Sequence, residues 1–312
     1  MTEINKFPVP IVFIIFNRPE STRIVFETIA RVRPSRLLIV ADGPRIDRSN
    51  DTELCQKARR VVDQVTWDCE VSVDFARENL GCQERVISGL NWAFSLVAEA
   101  IILEDDCVPD LSFFPFCEQM LERYRNDPRI GMISGNNFIQ RKLKTEYSYF
   151  FSQMTHIWGW ATWRQSWQRY DRHLSRWPEI KRACLLSEVF DDPKVAAYWT
   201  DRFDEMYSGT GPNTWDYQWA YTNLINHSLS IVPKVNLVTN IGCGPNATHT
   251  SDSDNIQMLL PSEPIAFPLV HPPSMLPLRS MDRIDQNGCR QTLSQRILRK
   301  ARRIRKGGGT RS

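Results

Sequence analysis

The first hundred residues alternate continuous apolar runs with stretches of helical period. Pro10 to Phe16 (PIVFIIF) is β-branched and apolar throughout and stops at Asn17, Arg18 and Pro19. Ser21 or Thr22 then caps a helix whose Ile24, Val25, Ile29 and Val32 share one side. Leu37 to Pro44 (LLIVADGP) repeats the unit, a buried strand ending at Asp42 and Gly43, before a helical stretch from about Asp51 to Val65. Glu70 to Ala76 (EVSVDFA) reads as a third strand, Gln83 to Val97 as a helix, and EAIILEDD as a fourth strand that runs into three acids. Strands that are apolar at every position are buried on both faces, which predicts an α/β fold with a mainly parallel sheet flanked by helices.

Such sheets take ligands at the carboxyl ends of their strands. Here those ends are Asn17 and Arg18, Asp42 and Gly43, the Arg77 to Gly81 turn, and Glu104, Asp105 and Asp106. Three adjacent carboxylates repel one another unless a metal ion or a cationic neighbour sits among them. A hard divalent ion such as Mn²⁺ or Mg²⁺ takes oxygen ligands and shares its shell with substrate phosphates. The other reading is an acidic loop at the start of the next helix, near Asp110 to Ser112, where negative charge suits the helix dipole.

The second half is less regular. Gly131 to Phe138 predicts a strand and loop, and after it His156, Trp158, Trp160, Trp163 and Trp167 crowd together. Indole faces are what a sugar-binding cleft uses against the apolar face of a pyranose, although tryptophan is also heavily buried on average, so about half of these rings are expected in the core. Gly159 between two tryptophans suggests a backbone that approaches a ligand closely. Thr214 to Leu229 predicts a helix capped by Asn213 or Thr214, with Asp216 in its first turn. His249 lies in the polar loop CGPNATHTSD, and a lone histidine there is more often simply hydrogen-bonded. The proline-rich run after Leu259 predicts an extended wrap around the body.

Charge narrows the picture. The formal net charge is only +3, and the excess lies in Arg296 to Lys306, so the body is near neutral and a nucleic-acid-binding core is not expected. That basic tail, with Ile297, Leu298 and Ile304 among its charges, suits peripheral contact with an anionic membrane surface. The longest early apolar run, Val9 to Phe16, is about half of a bilayer span and follows no export signal, so the chain is read as cytoplasmic, at most at the inner face of a membrane. The eight cysteines form no CxxC pair, which predicts reduced thiols rather than a zinc site or a disulfide framework.

With these residues in view, the chain resembles GT-A nucleotide-diphospho-sugar glycosyltransferases, particularly the N-acetylglucosaminyltransferase I group and its bacterial relatives. The likeness rests on the strings FNRP, ADGP, ENLGC, EDDCVP and WGWATW and on the order of elements from Pro10 to His249. It implies a Rossmann-like sheet with a nucleotide-sugar half over 1–110, an acceptor half over 111–260, and a wrap and tail over 261–312. It further implies Asp106 as the direct metal ligand, with Glu104 and Asp105 orienting ribose, sugar or metal-bound water, and His249 as a further ligand of the metal or the diphosphate. Phe16, Asn17 and Arg18 would lie along the nucleoside, and Asp42 would recognise uracil or ribose, which favours a UDP-sugar. Arg77, Asn79 and Gly81 would close over the nucleotide, with Arg85 near the pyrophosphate. Because WDxxW resembles the catalytic-base region of that group, Asp216 is the candidate base of an inverting transfer, and Trp158, Trp160 and Trp215 are the candidate acceptor contacts. A glycan, a lipid-linked molecule or a protein would be the acceptor, in surface-glycan synthesis. The rival readings are a metal-dependent phosphoesterase or nucleotidyltransferase, which needs further acids or histidines for a second ion, and a non-catalytic sugar-nucleotide-binding scaffold.

Overall fold

A computed structural model describes residues 6–242 and 260–286. The first four strands are β1 (Ile11–Ile15), β2 (Arg36–Ala41), β3 (Glu70–Phe75) and β4 (Glu99–Glu104), joined by α1 (Pro19–Val32), α2 (Asp51–Arg59) and α3 (Gly81–Leu96). All four run parallel in the spatial order β3-β2-β1-β4. The βαβ repeats predicted from the apolar runs are therefore present, with strand boundaries within a residue or two. The second helix, α2, is shorter than expected, because the chain leaves α-helical geometry at Arg60 for a tighter 3₁₀ segment that ends at Gln64.

After the acids come β5 (Cys107–Pro109), α4 (Phe113–Tyr124), β6 (Ile130–Ser134), β7 (Tyr149–Ser152) and β8 (Trp160–Trp163). A run of helices follows, beginning with α5 (Arg164–Trp167), α6 (Trp177–Arg182), α7 (Leu186–Val189) and α8 (Pro193–Tyr207). Then α9 (Asp216–Ile225), β9 (Leu229–Pro233), β10 (Val238–Asn240) and α10 (Arg279–Asp285) complete the described chain. The sheet continues past β4 as β8-β6-β9-β7. β8 runs antiparallel to both β4 and β6, β9 is parallel to β6, and β7 closes the edge antiparallel to β9. Six of the eight strands thus point one way, and the expected mainly parallel α/β sheet is what forms.

Both faces of the sheet are covered, as uniformly apolar strands require. Successive side chains point to opposite faces. Ile11, Phe13 and Ile15 pack with Val25, Phe26 and Ile29 of α1 and with the phenylalanines of α4. Val12 and Ile14 pack on the other side with Val86, Leu90 and Phe94 of α3. The same alternation sorts β8, which the tryptophan-rich string had disguised as loop: Trp160 joins the α3 face and Ala161 and Trp163 the opposite one. A third cluster of Trp177, Val195, Phe203 and Tyr221 binds α6, α8 and α9 together. Among the described residues no helix is long and apolar enough to cross a membrane.

A two-stranded ribbon of β5 and β10 sits just beyond the acids, pairing Cys107 with Asn240. It continues one step further, because the Ile241 N–H donates to the Asp106 carbonyl at 2.8 Å. The chain following β10 is thereby laid against the acidic cluster.

Candidate functional site

A cleft of about 640 Å³ opens at the carboxyl ends of β1, β2 and β4. One wall is formed by Phe16, Arg18, Asp42, Asn79, Gly81 and Arg85 together with Glu104, Asp105 and Asp106. Its far wall is formed by Trp158, Trp215, Asp216 and Tyr217. Residues more than a hundred positions apart in sequence thus meet around one cavity, where the strand-end rule places it.

The three acids take different parts. Asp105 is buried and ties two strand ends together: one carboxylate oxygen accepts the Phe16 N–H at 3.0 Å and the other an N–H of Arg18 at 3.2 Å. Asp106 is more open, its side chain 15% exposed against 8% for Asp105. Its Oδ2 accepts from the same Arg18 Nη1 at 2.6 Å. The cationic neighbour that three adjacent carboxylates demand is therefore Arg18, half-buried between two of them. Even so, negative charge is in excess. Burial first, then Asp106, Asp105 and Asp216, push Glu104 up to about 8. Burial likewise lifts Asp105 to about 7, with Arg18 working against the rise and Asp106 adding to it.

Asp42 is buried beneath the turn that follows β3. Its Oδ1 accepts the N–H groups of Gly43 (2.8 Å) and Leu80 (2.9 Å), and its Oδ2 those of Gly81 (3.1 Å) and the Asn79 amide (2.9 Å). A carboxylate offers about four acceptor positions, and here all four are occupied by the protein. Asp42 and Asn79 consequently shape the loop that starts α3, and the cleft receives the result: Gly81, with φ of 79°, at the N-terminus of a sixteen-residue helix.

Across the cleft, Asp216 is the first residue of α9, with Trp215 at the cap position, and its Oδ1 accepts the Thr214 hydroxyl. The cap is not made by the Asn213 or Thr214 side chain as expected. Asn213 instead accepts the Gln83 N–H at 2.8 Å, tying this loop to α3. Of the three candidate acceptor tryptophans, Trp158 and Trp215 line the cleft. Trp160 does not: it is wholly buried in the sheet and stacks under Trp215 with ring centroids 5.5 Å apart, so it supports the wall rather than facing a ligand. Gly159 has φ of 62°, and a Cβ there would come within 2.7 Å of Val238, so its close approach is to β10 and not to a ligand.

Other expected residues are placed variously. Arg77 is exposed and stands outside the cleft lining. Arg85 lines the cleft but gives its guanidinium to Asp74, at 2.6 Å from the carboxylate and 2.7 Å from the carbonyl. Asn17 turns from the cleft to donate to Asp51 at 2.8 Å. His249 lies outside the described residues. Four contributors had no signal in the residue string. Arg45 pairs with Asp51 at 2.6 Å and lies over the Phe16 ring, 5.2 Å from its centroid. Arg202 of α8 reaches the cleft while paired to Glu205. Asn240 and Gly242 arrive on the β10 ribbon. Each is brought in by long-range topology, which no local spacing announces.

Among the described residues no three His, Cys, Asp or Glu side chains form a ready-made metal cage. The donor set nonetheless fits a hard divalent ion that draws most of its shell from phosphate and water, since that needs only one or two carboxylates. Asp106 supplies an accessible one, in a cluster whose surplus negative charge a cation relieves. The six described cysteines are free, and burial pushes the Cys82 thiol in the cleft far above its ordinary range.

No protein-family profile and no curated protein matches this chain. Among solved structures it is similar to the mannosyltransferase PcManGT from Pyrobaculum calidifontis in complex with GDP-Man and Mn²⁺. The TM-score is 0.37 and the identity 11%, over 72% of this chain and 74% of that one. A likeness at that level carries no argument about chemistry, which rests on the residues of the cleft.

Proposed function

We propose that this protein is a metal-dependent glycosyltransferase of GT-A type, moving a sugar from a nucleoside-diphosphate donor to an acceptor hydroxyl. The observation that carries the reading is the shared cleft: Asp106 at the end of β4 and Asp216 at the start of α9 line one cavity of a size suited to a nucleotide sugar and part of an acceptor. A metal-dependent phosphoesterase would require more ligating groups beside the acids than the described residues supply.

In this reading Asp106, with phosphate oxygens, holds Mn²⁺ or Mg²⁺. When bound, such an ion offsets the charge that develops on a departing diphosphate. The N-terminus of α3 brings Gly81 to the same region, with its Leu80, Gly81 and Gln83 N–H groups already taken by Asp42 and Asn213, so charge on the diphosphate falls to the metal and to arginine. Phe16 and Arg45 border the part of the cleft that suits a nucleobase. Asp216 accepts the proton of the acceptor hydroxyl as it attacks the anomeric carbon opposite the leaving group, which gives inversion. Its hydrogen bond from Thr214 fixes the carboxylate's orientation. Trp158 and Trp215 offer indole surface to the acceptor sugar. A UDP-sugar as donor, an acceptor in bacterial surface-glycan synthesis, and membrane contact through the tail at 296–306 belong to the same proposal.

The test compares two variants. Asp106→Ala loses Mn²⁺-dependent UDP binding and turnover together, whereas Asp216→Asn keeps the binding and loses turnover by about 10²- to 10⁴-fold, the usual worth of a general base. Calorimetry showing unchanged Mn²⁺-dependent UDP binding in Asp106→Ala would count decisively against the assignment.

A further inference from the structure

Arg18 is placed where a metal ion would be expected to act. It follows β1 directly, at the N-cap position of α1, and its guanidinium enters the cleft with one nitrogen shared between Asp105 Oδ1 (3.2 Å) and Asp106 Oδ2 (2.6 Å). The surroundings of Asp106 leave little room for two cations. Its Oδ1 has Asn240 Nδ2 and Cys107 Sγ each at 3.5 Å, and the Gly242 backbone is so close that a Cβ there would lie 2.1 Å from Oδ2. Arg18 is also anchored through its main chain: its backbone carbonyl accepts the Thr22 N–H at 2.9 Å and the Thr22 hydroxyl at 2.7 Å. The backbone of Arg18 is thus held by the first turn of α1.

We propose that Arg18 is a resident counter-ion of the acidic cluster, and that a divalent cation binds Asp106 only by displacing it. The inference rests on Asp106 being the metal ligand and adds a competitor built into the chain. Two consequences follow from charge alone. Without metal, the guanidinium keeps Asp105 and Asp106 from repelling each other, so the empty cleft holds its shape. With metal, the same guanidinium is released beside the cation, where a polyanion is the ligand that satisfies both; arginine's fixed fork of donors suits phosphate oxygens. Metal and donor diphosphate therefore enter cooperatively: the bare metal competes with Arg18 for Asp106, and the diphosphate removes that competition by giving Arg18 a new partner. A rigid scaffold that only needed an ion pair would gain nothing from the nucleotide.

The experiment titrates Mn²⁺ alone into the full chain, following free Mn²⁺ by electron paramagnetic resonance, for wild type, Arg18→Gln, Arg18→Lys and Asp106→Ala. The titration is then repeated with UDP present. Removing a positive charge this close to a partly buried carboxylate is expected to tighten nucleotide-free Mn²⁺ binding about tenfold or more in Arg18→Gln, with Arg18→Lys close to wild type. UDP is expected to tighten Mn²⁺ binding strongly in wild type and much less in Arg18→Gln. Thermal unfolding supplies a second readout: Arg18→Gln unfolds below wild type without metal, and added Mn²⁺ raises it by more than it raises wild type. If Arg18→Gln binds Mn²⁺ no more tightly than wild type while Asp106→Ala loses binding, the counter-ion role is wrong and the metal site stands. If Asp106→Ala binds Mn²⁺ as wild type does, or none of the proteins binds it, the metal reading falls and takes this inference with it.

Discussion

Asp42→Asn separates two roles that a carboxylate at a strand end can have. If Asp42 organises the loop before α3, stability must fall; if it reads a nucleobase, stability is spared and nucleotide preference changes. In the asparagine variant the retained oxygen can still accept from Gly43 and Leu80, but an amide NH₂ faces the Gly81 N–H and the Asn79 amide. Asn79 can flip to present its oxygen, at the loss of its 3.0 Å bond to the Gly43 carbonyl. The Gly81 N–H has no such remedy. Gly81 is half-buried at the cleft, so its unpaired N–H costs about 1–2 kcal/mol, and losing the charge on the two remaining bonds costs about 1 kcal/mol more. Against this, burial raises the Asp42 pKa even though three N–H groups and Arg85 favour the anion, so removing the charge relieves part of the penalty. The net loss comes to about 1–2 kcal/mol. Urea unfolding at pH 7, read at constant slope, measures it. A loss below about 0.5 kcal/mol, accompanied by altered discrimination among nucleoside diphosphates, would refute the loop-organising role, because the estimate rests only on the geometry of those four bonds.

Three further outcomes are expected. Trp160→Ala loses about 3–5 kcal/mol of stability, as truncation of a fully buried aromatic does, whereas Trp158→Ala changes stability far less and weakens saturation by acceptor; chemical denaturation and kinetics of the two variants distinguish wall from backing. Gly242→Ala places a Cβ against the Asp106 carboxylate and abolishes Mn²⁺-dependent UDP binding while circular dichroism stays that of the wild type. His156, buried with its Nε2 3.1 Å from Asp285, has its pKa raised: burial opposes the charge, but the attraction and hydrogen bond of Asp285, with Asp282 adding, prevail. Its contribution is therefore fully present below the unfolded-state value of about 6.5 and is lost as pH rises through the higher folded-state value. The melting-temperature gap between wild type and His156→Gln should narrow from pH 5.5 to pH 8.5, and a gap that widens over that range refutes the assignment.

How much of this was legible follows from which forces act locally. The four parallel strands announced themselves because burial on both faces demands unbroken apolar runs, and Asn-Arg-Pro and Asp-Gly-Pro mark where they stop. The same logic placed Glu104, Asp105 and Asp106 on the cleft. β8 was hidden because Trp160 and Trp163 carry the same residue type on opposite faces, so no polar alternation betrays the strand; its position between β4 and β6 is decided by pairing across the sheet. Asp42 illustrates the other limit. Its partners at Leu80 and Gly81 lie 38 and 39 residues on, and only the closed fold reveals that its acceptor positions are filled. Arg18 was legible as a strand-end residue, but its pairing with the acids 87 and 88 positions away was not.

The antiparallel insertion of β8 also limits how the molecule can open and shut. Because β8 is hydrogen-bonded to β4 on one edge and to β6 on the other, the floor bearing the acids and the segment bearing Trp158 belong to a single welded plate. Separating the two banks would mean tearing a ladder in the middle of the sheet, so a clam-like hinge between halves is denied to this architecture. The stretch leading into α9 is fastened to the same plate through α3, where Asn213 and Thr214 both accept from Gln83, so Asp216 holds a fixed station opposite the acids.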